Sequence, residues 1–235
     1  MPGDSDFEMP AYVIERVMNK RGRLRVFDSF DPRETALVVI DMQKFYVGDI
    51  ASAIAVIPRI NRLAAAMRER GGVVAWVSMT AGKDGKSQWP LYHDFFFTPA
   101  KGAMHRDQLT EGADGHRLHA DLDPRPGDIH ATKNRFSAFL PGASNLHALL
   151  AERRIRNVVI TGMLTNFCCE TSARDAMMLD YRVAMVSDAN AARYEEDHHS
   201  GLTTVFLSFG DVVTTDVMVN EILVAPPAVT NAAAG

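Results

Sequence analysis

The stretch TALVVIDM (residues 35–42) decides the fold class, because it is a continuous apolar, β-branched run that ends next to a carboxylate. Such a run is typical of a strand that is buried on both faces of a parallel sheet. Similar runs recur along the chain, and a last short run, DVVTTD (211–216), predicts an edge strand. The others are GVVAWVSM (72–79), DIHATK (128–133), NVVITGM (157–163) and YRVAMVSD (181–188).

Helices are predicted between these strands, over residues 54–70, 144–153, 165–179 and 195–209. The first has apolar residues at helical spacing and is followed by a glycine pair that ends it. Five or six strands that alternate with helices predict an α/β fold, a three-layer α/β/α sandwich on a mainly parallel sheet.

One domain is predicted over residues 35–216, between an N-terminal arm (1–34) and a C-terminal tail (217–235) whose last eleven residues we expect to fray. Residues 80–126 contain many glycines and prolines, so we expect irregular lid or insert loops there. The aromatic residues between Trp89 and Phe97 fit a pocket lid and a subunit contact equally well. The basic patch NKRGRLR (19–25) favours a solvated arm or a subunit contact over a nucleic-acid site.

The composition argues against several classes of partner. The 235 residues include 25 Lys and Arg against 29 Asp and Glu, a net charge of −4, so net charge does not drive nucleic-acid binding. No apolar run reaches the ~18–20 residues of a membrane span, and the acidic N-terminus MPGDSDFEMP is unlike a secretory signal. We therefore expect a cytoplasmic protein that acts on a small molecule.

The two cysteines, Cys168 and Cys169, are adjacent, so they cannot close a long disulfide loop or supply a four-thiolate zinc site. No glycine-rich nucleotide-binding motif follows any predicted strand, and we expect no cofactor.

Three reactive side chains follow predicted strands: Asp41, Lys133 and Cys168. Ligands bind at the carboxyl ends of parallel strands, where the fold can bring these groups together. Taken alone, an Asp at such a position more often caps a helix or turn, a Lys is usually a solvated charge at the rim, and a Cys is usually a packing residue. Together they supply a base, a cation and a nucleophile for acyl transfer. We expect a helix N-terminus and the ammonium to lower the pKa of Cys168, so that iodoacetamide labels it rapidly near neutral pH.

The sequence resembles the isochorismatase-like cysteine hydrolases, a family that includes nicotinamidases, N-carbamoylsarcosine amidase and ureidoacrylate, biuret and triuret hydrolases. The similar segments are ALVVIDMQKFYV (36–47), KNRFSAF (133–139), ITGMLTNFCCETSARDA (160–176) and VAMVSDANAA (183–192). The resemblance implies a six-stranded, doubly wound sheet and a catalytic set of Asp41, Lys133 and Cys168. Cys169 falls where the family has a small apolar residue, which implies a packing role.

The resemblance also implies a non-proline cis peptide bond between Met163 and Leu164, with the N–H groups of Leu164 and Cys168 forming an oxyanion hole. Metal-binding nicotinamidases carry an Asp and His cluster after the second strand. The equivalent stretch here, SMTAGKDGKSQWP (78–90), has no histidine, so we expect no metal. Isochorismatases proper lack the nucleophilic cysteine, so the presence of Cys168 argues against vinyl-ether cleavage.

These comparisons favour a cysteine-dependent amidohydrolase that cleaves a C–N bond of a small linear amide or ureide. Ureidoacrylate-like substrates come first, and biuret or triuret follow. The alternatives are a nicotinamidase, a vinyl-ether hydrolase of the isochorismatase type and a non-catalytic interaction domain on the same fold. The family usually forms dimers or tetramers, so we expect a homodimer or homotetramer.

Several residues near the catalytic set are candidates for substrate binding: Phe45, Tyr46, Gln88, Trp89, Asn134 and Arg135. The first two could wall the pocket or pack in the core. One of the last two should face the cleft, where it could bind a carboxylate or ureide, although a surface ion pair fits equally well. His198 and His199 are expected at the surface.

Overall fold

The computed structural model describes residues 8–48, 50–81 and 88–224, and its central sheet contains six strands that all run parallel. The order across the sheet is β3-β2-β1-β4-β5-β6, which puts the first strand near the centre. The sheet confirms the predicted α/β architecture. The strands are β1 (Thr35–Ile40), β2 (Val73–Met79), β3 (Ile129–Lys133), β4 (Asn157–Met163), β5 (Arg182–Ala191) and β6 (Asp211–Val213).

Helices cover both faces of the sheet. They are α1 (Ala11–Arg21), α2 (Lys44–Val47), α3 (Ala51–Glu69), α4 (Pro90–Phe95), α5 (Pro99–Gln108), α6 (Leu146–Glu152), α7 (Glu170–Met178), α8 (Glu195–Ser208) and α9 (Thr215–Val217). A 3₁₀ turn (Pro32–Glu34) precedes β1, and π-helical turns occupy Thr165–Cys169 and Met218–Ile222. Among the described residues, no helix is long and apolar enough to cross a membrane.

Strand alternation separates two apolar clusters, one on each face of the sheet. Leu37 and Val39 of β1 pack with the buried face of α3, whereas Val38 and Ile40 pack with residues of α6, α7 and α8. Every residue of β1 is buried, as the continuous apolar run predicts. The result is the expected three-layer sandwich.

Two segments outside the sheet differ from the prediction. The arm at 1–34 contains α1, whose Val13 and Val17 pack against Phe206 of α8. The stretch 80–126 contains α4 and α5, so the expectation of loops throughout is wrong. Both helices are short and carry a proline at their first position, which is compatible with a helix start but weakens a periodic pattern. Residues 82–87 of this stretch lie outside the described residues.

The predicted C-terminal tail is partly packed against the domain. Met218, Ile222 and Leu223 are buried, and Leu223 forms a β-bridge with Phe30. The residues expected to fray, 225–235, lie outside the described part of the chain. The described portion of the tail therefore belongs to the core.

The carboxyl edge of the sheet has two unusual backbone conformations where β1 and β4 lie side by side. Asp41 has φ 55° and donates its N–H to the Val77 carbonyl at 2.9 Å. Gly162 has φ 109°, and a Cβ there would collide with the Ile40 backbone, so only glycine fits. This close approach brings the turn after β4 beside Asp41. The peptide bond between Met163 and Leu164 is cis, as the resemblance implied.

Candidate active site

The structure brings the three predicted catalytic side chains into contact at the carboxyl edge of the sheet. Asp41 follows β1, Lys133 ends β3, and Cys168 lies in the π-helical turn that leads into α7. The Lys133 ammonium is 2.7 Å from Asp41 Oδ2 and 3.4 Å from Cys168 Sγ. Lys133 is therefore the physical link between the carboxylate and the thiol.

The Lys133 ammonium is enclosed and fully used as a donor. Its residue is 1% exposed, and besides Asp41 and Cys168 it lies 3.2 Å from the Arg135 carbonyl oxygen and 3.7 Å from Met79 Sδ. Asp41 is 2% exposed, and its Oδ1 atom has no hydrogen-bond partner among the described residues. A buried carboxylate oxygen without a donor is placed to accept a proton.

Burial dominates the acid–base behaviour of this cluster. Burial and then the charge of Asp41 raise the pKa of Cys168, against the lowering effect of Lys133, to about 12. Burial also raises the pKa of Asp41 against the lowering effect of Lys133. Burial alone would lower the pKa of Lys133, but the negative charges of Asp41 and Cys168 outweigh it and the pKa is raised.

The expectation of a low pKa for Cys168 is therefore wrong. A buried site with one cation holds one anion at low cost, and a second anion would be uncompensated. The Asp41 carboxylate is already the anion that Lys133 compensates, so the Cys168 thiol keeps its proton in the resting protein. This arrangement leaves Asp41 as the group placed to accept the thiol proton.

The turn around the nucleophile is held from both sides. Cys169 is completely buried among the residues under the sheet, which agrees with a packing role. Thr165 shares a 2.8 Å hydrogen bond with Nδ1 of His198, which is only 7% exposed. The surface position expected for His198 is wrong, because α8 packs directly against the turn at Gly201. His199 is partly buried on the same helix.

A cavity of about 420 Å³ opens beside Asp41 and Cys168. Phe45 and Tyr46 line it, as expected for pocket walls, and Leu164 lines it next to the nucleophile. Other aromatic walls come from segments that the sequence had not singled out: Tyr92, Phe97, Phe136 and Phe167. The cavity is thus mostly apolar around a small polar centre, as is usual for small-molecule sites.

The structure places the other four candidate substrate residues away from the lining of this cavity. Gln88 and Trp89 line a separate pocket of about 220 Å³. The Arg135 guanidinium lies 4.8 Å from the centre of the Trp89 ring and donates to the Asn134 carbonyl at 2.7 Å. Trp89 still supports the wall indirectly, because its ring contacts Phe136.

Several residues that shape the site were missed from the sequence. Gln43 is fully buried and exchanges hydrogen bonds with the Met79 backbone, which fixes the end of β2 beside β1. His93 and His105 are buried, and His105 also lines the cavity. The two histidines lie on the short helices α4 and α5. The sequence there is irregular in composition, so it did not indicate that the two side chains meet. Within the described residues, no group of three or more His, Cys, Asp or Glu side chains is arranged to hold a metal ion.

Comparison with known proteins gives consistent matches. The sequence profile of a family described as the isochorismatase domain matches residues 35–217. The chain is 32% identical over 203 residues to ureidoacrylate amidohydrolase RutB of Pseudomonas syringae pv. syringae, covering 79% of this chain and 82% of the relative. A protein of the same name from Caulobacter vibrioides is also 32% identical over 203 residues, covering 79% and 89%.

Solved structures agree with this grouping. A cysteine hydrolase from Pseudomonas syringae pv. phaseolicola superposes with a TM-score of 0.74 at 26% identity, covering 84% of this chain and 95% of that one. N-carbamoylsarcosine amidase from Thermoplasma acidophilum has the same fold, with a TM-score of 0.63 at 24% identity and coverage of 78% and 97%.

The electrostatics of the cluster predict that Asp41→Asn makes Cys168 more reactive towards an alkylating agent. The change removes the negative charge that raises the thiol pKa and leaves Lys133, whose charge lowers it. The pKa of Cys168 therefore falls, and each unit increases the thiolate fraction at pH 8 by about tenfold. The rate of iodoacetamide labelling, followed by peptide mass spectrometry, should rise while hydrolysis is lost.

Two controls isolate the effect. Asp114→Asn makes the same chemical change in an exposed ion pair with Lys44 and should leave the labelling rate unchanged. Cys168→Ser measures the background from Cys169. Slower or unchanged labelling in Asp41→Asn would contradict the assignment of Asp41 as the group that keeps the thiol protonated.

Proposed function

The chain belongs to the isochorismatase family, and we propose that it is a cysteine-dependent amidohydrolase that cleaves a C–N bond of a small linear ureide or amide. The observation that carries the proposal is the contact of one buried ammonium with both Asp41 and Cys168 beside a cavity. The relatives named ureidoacrylate amidohydrolase support ureidoacrylate as the first candidate substrate.

The first half of the reaction transfers the acyl or carbamoyl group to Cys168. Asp41 takes the thiol proton as Sγ bonds to the substrate carbonyl carbon, and Lys133 balances the resulting thiolate charge. The N–H groups of Leu164 and Cys168 stabilise the oxyanion, since both residues line the cavity. The C–N bond then breaks, and Asp41 returns the proton to the departing amine.

The second half releases the product and restores the thiol. Asp41 removes a proton from water, whose oxygen bonds to the carbonyl carbon of the thioester or thiocarbamate. The C–S bond breaks, and the Cys168 sulfur recovers a proton from Asp41. A ureide treated in this way yields an amine and carbamic acid, which decomposes to ammonia and carbon dioxide.

The charges at the cavity favour an anionic substrate. Lys101 and Arg193 line it and are exposed at its edge. Asp41 is the acidic residue among the described lining residues, and Lys133 already neutralises it. The cavity therefore has an excess of positive charge. Ureidoacrylate carries a carboxylate that these side chains can bind, whereas biuret, triuret and nicotinamide are neutral.

Replacement of the two adjacent cysteines tests the nucleophile. Cys168→Ala should reduce ammonia release from ureidoacrylate by about a thousandfold or more, because the covalent route is lost. Cys169→Ala is the matched control and should retain activity within a few fold, since its thiol is buried away from the cavity. Thermal unfolding of both variants checks the fold. Full activity in Cys168→Ala with an inactive Cys169→Ala would contradict the proposal.

Replacement of the two exposed cations tests the substrate charge. The double variant Lys101→Gln, Arg193→Gln should raise KM for ureidoacrylate about fivefold to tenfold at low salt and change kcat little, because exposed charge pairs are weak and screened. Added salt should raise KM for the unmodified protein and not for the variant. An unchanged KM in the double variant would exclude these residues as the carboxylate site.

A further inference from the structure

A chain of three hydrogen bonds runs from the cavity wall into the protein. The Tyr46 hydroxyl lies 2.9 Å from His105 Nε2, and His105 Nδ1 lies 2.9 Å from His93 Nε2. His93 Nδ1 then lies 3.0 Å from the Trp89 carbonyl oxygen. Both histidines are buried, at 2% and 6% exposure, and the proposed mechanism uses neither.

The carbonyl at the far end fixes the direction of every bond in this chain. A carbonyl oxygen only accepts, so His93 must carry its proton on Nδ1. In neutral His93 the Nε2 atom is then an acceptor, and His105 must donate to it from Nδ1. In neutral His105 the Nε2 atom accepts in turn, so the Tyr46 hydroxyl donates its single proton to it.

Both histidines are neutral near pH 7. Burial and the neighbouring His93 lower the pKa of His105 to about 4. Burial also lowers the pKa of His93. Burial and the charges of Asp41 and Cys168 raise the pKa of Tyr46 well above its ordinary value, so the phenol keeps its proton.

We propose that Tyr46 is a specificity-determining residue whose hydroxyl oxygen offers the cavity only an acceptor and so selects a substrate with an N–H donor. Tyr46 lines the cavity with Asp41 and Cys168, and its only proton is committed to His105. An amide or ureide N–H can donate a hydrogen bond to the Tyr46 oxygen. An ester oxygen in the same position has no proton to donate, and its lone pairs would repel those of the Tyr46 oxygen. His93 and His105 are positioning residues. The proposal rests on the amidohydrolase function and specifies how the same site recognises nitrogen.

Histidine tautomers test the direction of the chain without any substrate. In the ¹⁵N NMR spectrum of protein labelled at its 8 histidines, His93 and His105 should both be protonated on Nδ1 at pH 7. The variants His93→Gln and His105→Gln assign the signals. Tyr46→Phe should shift the Nε2 signal of His105, and Tyr92→Phe, the same change on the same cavity, should not. A proton on Nε2 of His105 would overturn the proposal.

Kinetics with two probes test the selectivity. Tyr46→Phe should lower kcat/KM for ureidoacrylate by about tenfold to a hundredfold, the loss expected when a substrate N–H loses its partner. It should not lower kcat/KM for p-nitrophenyl acetate, which has no N–H, and should raise it by up to about tenfold, because the acylating groups are intact and the contact between lone pairs is removed. Tyr92→Phe should leave the ratio of the two constants unchanged. Equal losses on both probes, or none on ureidoacrylate, would overturn the proposal.

The two proposals fail in different ways. Protein that hydrolyses neither probe, or the ester alone, contradicts the proposed ureide hydrolase, and the histidine tautomers still decide whether Tyr46 can only accept. If Tyr46→Phe does not change the activity on ureidoacrylate, the proposed hydrolase function is unaffected. Tyr46 then has no role in substrate selection.

Discussion

The contact of the Lys133 ammonium with Asp41 and Cys168 is the interaction on which the site depends. It joins the end of the edge strand β3 to the end of the central strand β1 and to the turn after β4. Removing one member of such a buried pair typically costs about 3–5 kcal/mol, because the remaining charge is uncompensated. The cluster therefore constrains the geometry of three separate segments, and its single positive charge sets the number of anions that the site can hold.

In the proposed mechanism, that charge balance lets a thiol with a raised pKa act as the nucleophile. Burial and Asp41 keep the Cys168 proton in place in the resting protein, and the same burial makes Asp41 a stronger base. Transfer of one proton between them changes which group is the anion, without a change in the net charge of the buried cluster. The cations at the cavity edge, Lys101 and Arg193, lie outside that buried cluster, and we propose that they bind the substrate.

Much of the fold was predictable, because strands such as β1 and β4 have a continuous apolar sequence, and Asp41, Lys133 and Cys168 each lie at or after the carboxyl end of a strand. Two predictions that were wrong, on the pKa of Cys168 and the position of His198, concern burial, which depends on tertiary packing and also hid the contact of His93 with His105. The pKa of Cys168, the position of His198 and the chain formed by His93 and His105 all depend on which elements cover them. The short helices α4 and α5 have too few apolar positions to show a period. The homo-oligomer and the cytoplasmic location stay predictions.

The central claim is that the Asp41–Lys133–Cys168 cluster acts through a covalent intermediate on Cys168. The most direct measurement is mass spectrometry of the protein quenched in acid within the first turnovers of ureidoacrylate, followed by peptide mapping. The account predicts a mass increase of one carbamoyl group on the peptide that contains both cysteines, with fragmentation that assigns it to Cys168. An adduct on Cys169, or product formed with no adduct on Cys168 at any early time, would contradict it.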